Sequence, residues 1–250
     1  MGAETQGRGG ATRGSEQFDR EYPLFSHIEA TARGFDWLIS VDRTVDSVAN
    51  FGCATGMETL ALVHAFRARE AVGIDIDGEG ILQATQTLEG LKSAAVGVAH
   101  RAAYLEQYYE WWRELVPEFI KGLVLDRIPR GLAHGVQETC VKFIQADITR
   151  PLSVARDHFD LVYCDYVLYH VFCAQGEREL QCAVSEMARA VAPGGCVVAV
   201  EPLCCSPECA QPLDFAPFFE RAGLRCCRPP CEPTAGEGKE RTYYYGKPPA

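Results

Sequence analysis

The chain has no apolar run near the 18 or so residues of a membrane span, no basic stretch leading into an apolar core at its start, and no surplus of basic residues. The first two absences lead to the expectation of a cytoplasmic protein with no membrane attachment. Met1-Gly2 invites a lipidation reading, but Gln6 stands where that signal has Ser or Thr. The third absence bears on partners. With 34 Asp and Glu against 24 Lys and Arg, the net charge is −10, which repels a phosphate-rich partner unless a local basic patch is built. The modest grouping of Arg113, Lys121, Arg127 and Arg130 is a weak candidate for one. A small molecule or a protein is therefore expected as substrate, and nucleic acid is not.

Cysteine is plentiful, at 12 residues in a chain of 250. Several cysteines lie inside apolar segments (Cys140, Cys164, Cys173, Cys196), where the thiol behaves as a small hydrophobe, and the chain is too long to need a disulfide scaffold. Reduced thiols are the default. The repeated patterns "CCSPEC" (Cys204, Cys205, Cys209) and "CCRPPC" (Cys226, Cys227, Cys231) resemble thiolate metal ligands. In a parallel arrangement, however, the first group ends one strand and the second begins another, about 15 Å lower over five residues. All six cannot converge, which leaves a smaller group of Cys204, Cys205 or Cys209 with Cys231. No metal is assigned.

Apolar content of 47% and charged content of 23% are those of an ordinary globular domain, and the length fits one domain with an elaboration. Residues 1–16 carry five glycines without periodicity and read as a flexible tail. Residues 17–250 form the domain, opening with helical pieces over 17–45. Strands are then expected at 46–51, 70–76, 140–145, 158–164, 195–201, 224–229 and 241–246, with helices at 56–67, 79–92, 177–191 and 213–222. Short, wholly apolar strands alternating with helices imply an α/β fold whose mostly parallel sheet is covered on both faces. Such sheets bind ligands at the carboxyl ends of their strands. The stretch 92–138 is an insertion between the second helix and the third strand. Leu105, Tyr109, Trp112, Val116 and Phe119 recur in it at helical spacing, which fits either a helix packing an aromatic face on the domain or a lid over the substrate.

The most informative stretch is "VANFGCATGMETLAL", Val48 to Leu62. A short apolar strand enters a glycine-containing loop and then a helical run, a geometry that brings backbone N–H groups up to a ligand. A dinucleotide fingerprint fits poorly, because its last small position is Met57.

With later segments added, the chain resembles the class I S-adenosylmethionine-dependent methyltransferases from about Ser47 onward. That family has an acid and a G-x-G-x-G loop after the first strand, where this chain has Asn50, Gly52, Cys53, Ala54 and Gly56. "AVGIDIDGEG" supplies Asp75 at the place of the acid that grips the ribose, followed by Ile76. "VKFIQADITRPL" supplies Asp147 and Ile148 near the adenine, "FDLVYCDYVLYHV" matches the fourth motif, and "ARAVAPGGCVVAVEP" matches the Pro-Gly-Gly turn into the fifth strand. The resemblance implies a Rossmann-like seven-stranded sheet of order 3-2-1-4-5-7-6, S-adenosyl-L-methionine as cofactor, and methyl transfer to an acceptor. The loop "GCATGMETLAL" and the long insertion are also similar to the chemotaxis-receptor glutamate methyltransferases, through Cys53, Thr55, Gly56 and Glu58. Glu58 reads equally well as an exposed first-turn acid favoured by the helix dipole.

The chemistry of each residue supports its place. A carboxylate has two acceptor oxygens for a diol, which suits Asp75, whereas Asp77 reads better as a helix cap. Asp147 reads either as an adenine contact or as a turn residue. Asn50 keeps an acceptor oxygen but loses charge, so weaker cofactor binding is expected. Ala54 adds a methyl group that is tolerable if its φ stays negative. Methyl transfer needs mainly alignment of donor and acceptor. Where a base is required, His170 is the candidate, with Asp165 as a proton acceptor or cofactor contact and Tyr166 and Tyr169 lining the acceptor side. Small-molecule methylation is the primary expectation. The alternatives are methylation of a protein carboxylate, or a catalytically silent binding protein that keeps the fold.

Overall fold

The computed structural model describes residues 45–66, 68–92, 139–202, 213–231 and 240–249. The expected tail, the helices of 17–45, the insertion 92–138 beyond its first residue, and Cys204, Cys205 and Cys209 lie outside these residues.

Strand β1 (Ser47–Phe51) is buried along its whole length, as a central strand covered on both faces should be. Helix α1 (Met57–Phe66) leads to β2 (Glu70–Asp75), and helix α2 (Gly78–Lys92) follows. After the insertion come β3 (Cys140–Gln145), β4 (Phe159–Asp165), α3 (Val167–Gln175), α4 (Glu177–Ala190), β5 (Val191–Pro202), α5 (Ala216–Arg221), β6 (Arg225–Cys231) and β7 (Glu240–Gly246). These strands form a seven-stranded sheet of order β3-β2-β1-β4-β5-β7-β6. The pairings from β3 to β5 are parallel, and β7 runs antiparallel to both β5 and β6. The expected order holds, and β5 and β6 point the same way.

The expected elements are present with small shifts, and β3 spans the expected residues. Two differences have clear causes. Helix α3 is absent from the expected set because "VLYHVFC" is apolar throughout and has no local cap. β5 begins four residues earlier than expected, since Phe159 pairs with Val191 and Leu161 with Cys196. The residues between those two partners bulge out through exposed Gly194 at φ 79°. Helix α4 follows the pattern directly: Leu180, Ala183, Val184 and Met187 recur at three- and four-residue spacing and are buried against the sheet.

The amino edge of the sheet is tied by one side chain. Asp160 Oδ2 accepts the backbone N–H groups of Asp46 (2.9 Å) and Ser47 (3.0 Å) and the Ser47 hydroxyl (2.9 Å), joining β1 to β4. His158 Nε2 meets Glu70 Oε2 at 2.9 Å beside it. Replacing Asp160 with alanine leaves these donors without their acceptor, and urea unfolding of Asp160→Ala is expected to show a loss of about 2–3 kcal/mol with no change in the slope of the transition.

Candidate functional site

The carboxyl edge gathers the motif residues because of strand register. Phe51 pairs with Ile74 on one side and Cys164 on the other. The next residues, Gly52, Asp75 and Asp165, therefore leave three adjacent strands at one level. The loop is drawn down onto β2: the N–H groups of Gly52 (2.7 Å) and Cys53 (3.0 Å) both donate to Ile74 O, and Ala54 N–H donates to Asp75 Oδ2 at 2.7 Å.

Gly52 and Gly56 both have φ near +80° (80° and 79°), where glycine alone is unstrained. Packing requires them too. A Cβ at Gly52 would lie 2.0 Å from Val167 Cγ2, and one at Gly56 would lie 2.6 Å from the Phe143 ring. The condition of a negative φ, under which the Ala54 methyl group would be free of strain, is not met: the residue is left-handed, at 43°, which costs a residue with a Cβ about 1–2 kcal/mol. The bond from its N–H to Asp75 compensates for that strain.

Asp75 Oδ1 also accepts Asp77 N–H at 2.9 Å, so both carboxylate oxygens order backbone while the side chain stays half-buried. Asp77 is the helix cap expected, its Oδ1 accepting Glu79 N–H at 3.0 Å. Asp147 organises a turn: its Oδ1 accepts Thr149 N–H (2.9 Å) and the Thr149 hydroxyl (2.7 Å). Ala146 N–H donates to Asp75 O at 2.8 Å, which places that turn beside Asp75. Ile76 is 62% exposed next to Asp75, whereas Ile148 is buried.

Beneath the loop lies a group of acids. Asn50 is fully buried, and its Nδ2 donates to Thr59 Oγ1 at 3.1 Å. Its Oδ1 is buried without a hydrogen-bond partner among the described residues. Of the two readings open for Glu58, the exposed first-turn acid does not hold. The residue is part-buried and hydrogen-bonded to Asp165 and to Asn50, and burial, then the Asp165 charge, pushes its carboxyl well above the usual range. Asp165 is buried, with the Tyr163 hydroxyl 3.4 Å from its Oδ2. The buried Cys53 and Cys164 thiols are pushed up, first by burial and then by neighbouring carboxylates, which makes them unreactive.

Glu201, at the end of β5, is a site-edge residue that the motifs did not single out. It is fully buried and accepts the N–H groups of Leu168 (2.9 Å) and Tyr169 (3.0 Å). Burial raises its pKa to about 8 despite these bonds. An acid closing the apolar run "CVVAVE" was the available signal. On α3, Tyr166 and Tyr169 are buried, His170 is part-buried with its Nε2 enclosed, and Tyr166 is left-handed at φ 57°. The sequence candidates thus converge on one edge, with Tyr166, Tyr169 and His170 on the side of β4 away from Asp75. Among the described residues, no group of His, Cys, Asp and Glu has metal-binding geometry, and no helix is long and apolar enough to cross a membrane.

Known proteins share this architecture. A family model described as "Methyltransferase domain" matches residues 94–199. A ribosomal protein L11 methyltransferase of Actinobacillus pleuropneumoniae serotype 5b (strain L20) is 39% identical over 71 residues, which is 28% of this chain and 22% of that protein. The chain thus spans about a fifth of the length of the curated relatives it matches. Among solved structures, the N-methyltransferase NodS from Bradyrhizobium japonicum WM9 superposes with a TM-score of 0.55 at 14% identity, covering 91% of this chain and 99% of NodS. Its complex with S-adenosyl-l-homocysteine gives 0.54 at 13% identity, covering 95% and 90%. The chain shares the fold of these solved methyltransferases, and a methyltransferase domain model matches part of it.

Two outcomes follow from the site's strain and charge. Ala54→Gly removes the left-handed penalty and is expected to raise the unfolding free energy by about 0.5–1 kcal/mol after the added chain entropy is subtracted. Glu201 holds a proton in the folded state that the unfolded chain releases above the ordinary glutamate value of 4.5. Stability therefore falls as pH rises from 4.5 through about 8, by about 1.4 kcal/mol per pH unit while that proton is linked. Glu58 shifts in the same direction. Urea midpoints measured between pH 5 and 8 are expected to decline in the wild type and to decline less steeply in Glu201→Gln.

Proposed function

We propose that this chain is an S-adenosyl-L-methionine-dependent methyltransferase acting on a small-molecule acceptor. The observation that carries the reading is the 2.7 Å bond from Ala54 N–H to Asp75 Oδ2, which joins the glycine loop and the second strand's acid in one surface. The residues fit the donor. Each Asp75 oxygen keeps a further lone pair for a ribose hydroxyl, exposed Ile76 offers an apolar face beside it for the base, and Asp147 with Ile148 borders that face. Gly52, Cys53, Ala54 and Gly56 shape the loop for the methionine part, with the Asn50 amide beneath them.

The chemistry supplied by the bound donor is a methyl group on a cationic sulfonium. The chain's own residues hold and align, and the carboxylates of Asp75 and Asp165 give the site a negative field that favours a cation. Asp165, level with Gly52, is assigned the proton released by a protonated acceptor. His170 is the second candidate for that proton, and Tyr166 walls the acceptor side.

A protein acceptor is the second reading, favoured by the partial match to ribosomal protein L11 methyltransferases. A silent binding protein is the third, motivated by Asn50 and Ala54. Calorimetric titration of S-adenosylmethionine and S-adenosylhomocysteine separates the enzyme readings from a scaffold that has lost its ligand. Saturable one-to-one binding is expected, weakened on the order of ten-fold or more in Asp75→Asn, a variant that keeps one oxygen for the Ala54 N–H. Absence of binding to folded wild-type protein refutes the proposal. Labelled donor incubated with cell extract then separates the acceptors: label on small molecules supports the first reading, and label on protein supports the second.

A further inference from the structure

Helix α3 starts without a cap of its own. Its N-cap residue, Tyr166, makes no side-chain capping bond and sits in the left-handed region at φ 57°, a strained state for an aromatic residue. The first N–H groups of any helix need partners from outside it, and here these groups are buried. Tyr166 N–H donates to Val200 O at 2.8 Å. Those of Leu168 and Tyr169 go to the two oxygens of the Glu201 carboxyl, at 2.9 and 3.0 Å. The end of β5 therefore serves as the seat of α3.

That seat touches the loop. Val167, the first residue of α3, fills the space over Gly52, where a Cβ would come within 2.0 Å of its Cγ2. Moving the first turn of α3 by a fraction of an ångström moves the side chain that packs on the opening glycine. No shorter side chain makes the same link, because aspartate lacks a methylene of reach and serine lacks the second acceptor.

We propose that Glu201 is a positioning residue for the donor loop: by gathering the N–H groups of Leu168 and Tyr169 it fixes the first turn of α3, seats Val167 on Gly52 and thereby sets the conformation of residues 52–56. The proposal deepens the methyltransferase reading, since the loop it positions is the one assigned to the donor. The link itself is a property of the protein without ligand.

Amide hydrogen exchange tests it directly, because the N–H groups of Gly52, Cys53, Ala54 and Gly56 are all hydrogen-bonded in the fold. In Glu201→Ala, exchange is expected to quicken on the order of ten-fold or more both at residues 167–169 and at residues 52–56, while β6 and β7 keep their protection. Glu201→Gln, which retains one acceptor, is expected to fall in between. Val167→Ala breaks the link from the other end and should quicken the loop while leaving the cap at Leu168 and Tyr169 protected. It also keeps the test decisive if Glu201→Ala does not fold. Acceleration confined to α3, acceleration spread evenly over the whole sheet, or a loop unmoved in Val167→Ala each overturns the proposal. S-adenosylhomocysteine titration of the same variants should show affinity falling in the same order, and unchanged affinity in folded Glu201→Ala also overturns it. If the wild type binds no S-adenosylhomocysteine, the donor-site reading fails, and the exchange experiment still decides the role of Glu201.

Discussion

The parallel pairing of β1 between β2 and β4 is the constraint on which the rest of the structure depends. With Phe51 opposite both Ile74 and Cys164, Gly52 has to emerge between Asp75 and Asp165, and a shift of one residue would turn every side chain of a doubly buried strand to the other face. The apolar run Val48, Ala49, Phe51 excludes that shift, since each of these residues is fully buried. Site geometry is thus inherited from core packing. The loop adds to it by bonding to Ile74 O and the Asp75 carboxylate.

The two edges of the sheet use carboxylates differently. At the amino edge, Asp160 is part-buried and surrounded by donors, so its charge is satisfied and serves cohesion. At the carboxyl edge, burial first and the Asp165 charge after it raise the cost of ionising Glu58 and Glu201. Buried acids destabilise a fold unless they are protonated or paired. Their concentration on one edge, with strained Ala54 and Tyr166 among them, fits a region where folding stability is given up for a site. The cysteines take no part in such chemistry there, because Cys53 and Cys164 are held as thiols in the core.

The structural neighbours share the fold at sequence identities of 13–14%. Three side chains give the carboxyl edge of this chain its particular character. Asn50 places an uncharged, buried amide in β1, and the methyl group of Ala54 stands in a left-handed position. Glu201 lies near the end of the fifth strand. The first two depart from the loop pattern that the resemblance implies. The third supplies a brace that the glycine pattern alone does not reveal, and it makes the loop's conformation a joint property of β1, β2, α3 and β5.

By itself the sequence determined the alternation of strands and helices, the mostly parallel sheet and the edge where the candidate residues gather, because largely apolar strands and a Gly-containing turn are local signals. It also marked Asp77 as a helix cap, since a cap acts within a few residues, whereas the positive φ of Gly52 and Gly56 appeared only in the fold. Helix α3 was not legible, as its capping carboxyl comes from a residue more than thirty positions away and nothing in "VLYHVFC" announces it. The φ of Ala54 was left open, because its N–H bonds to Asp75 on the neighbouring strand. The two readings of Glu58 could not be separated, because helix periodicity does not show that β4 brings Asp165 against it. These features were decided by tertiary structure alone: hydrogen bonds and charge interactions depend on distance in space, and a linear pattern encodes only the distances that local geometry fixes.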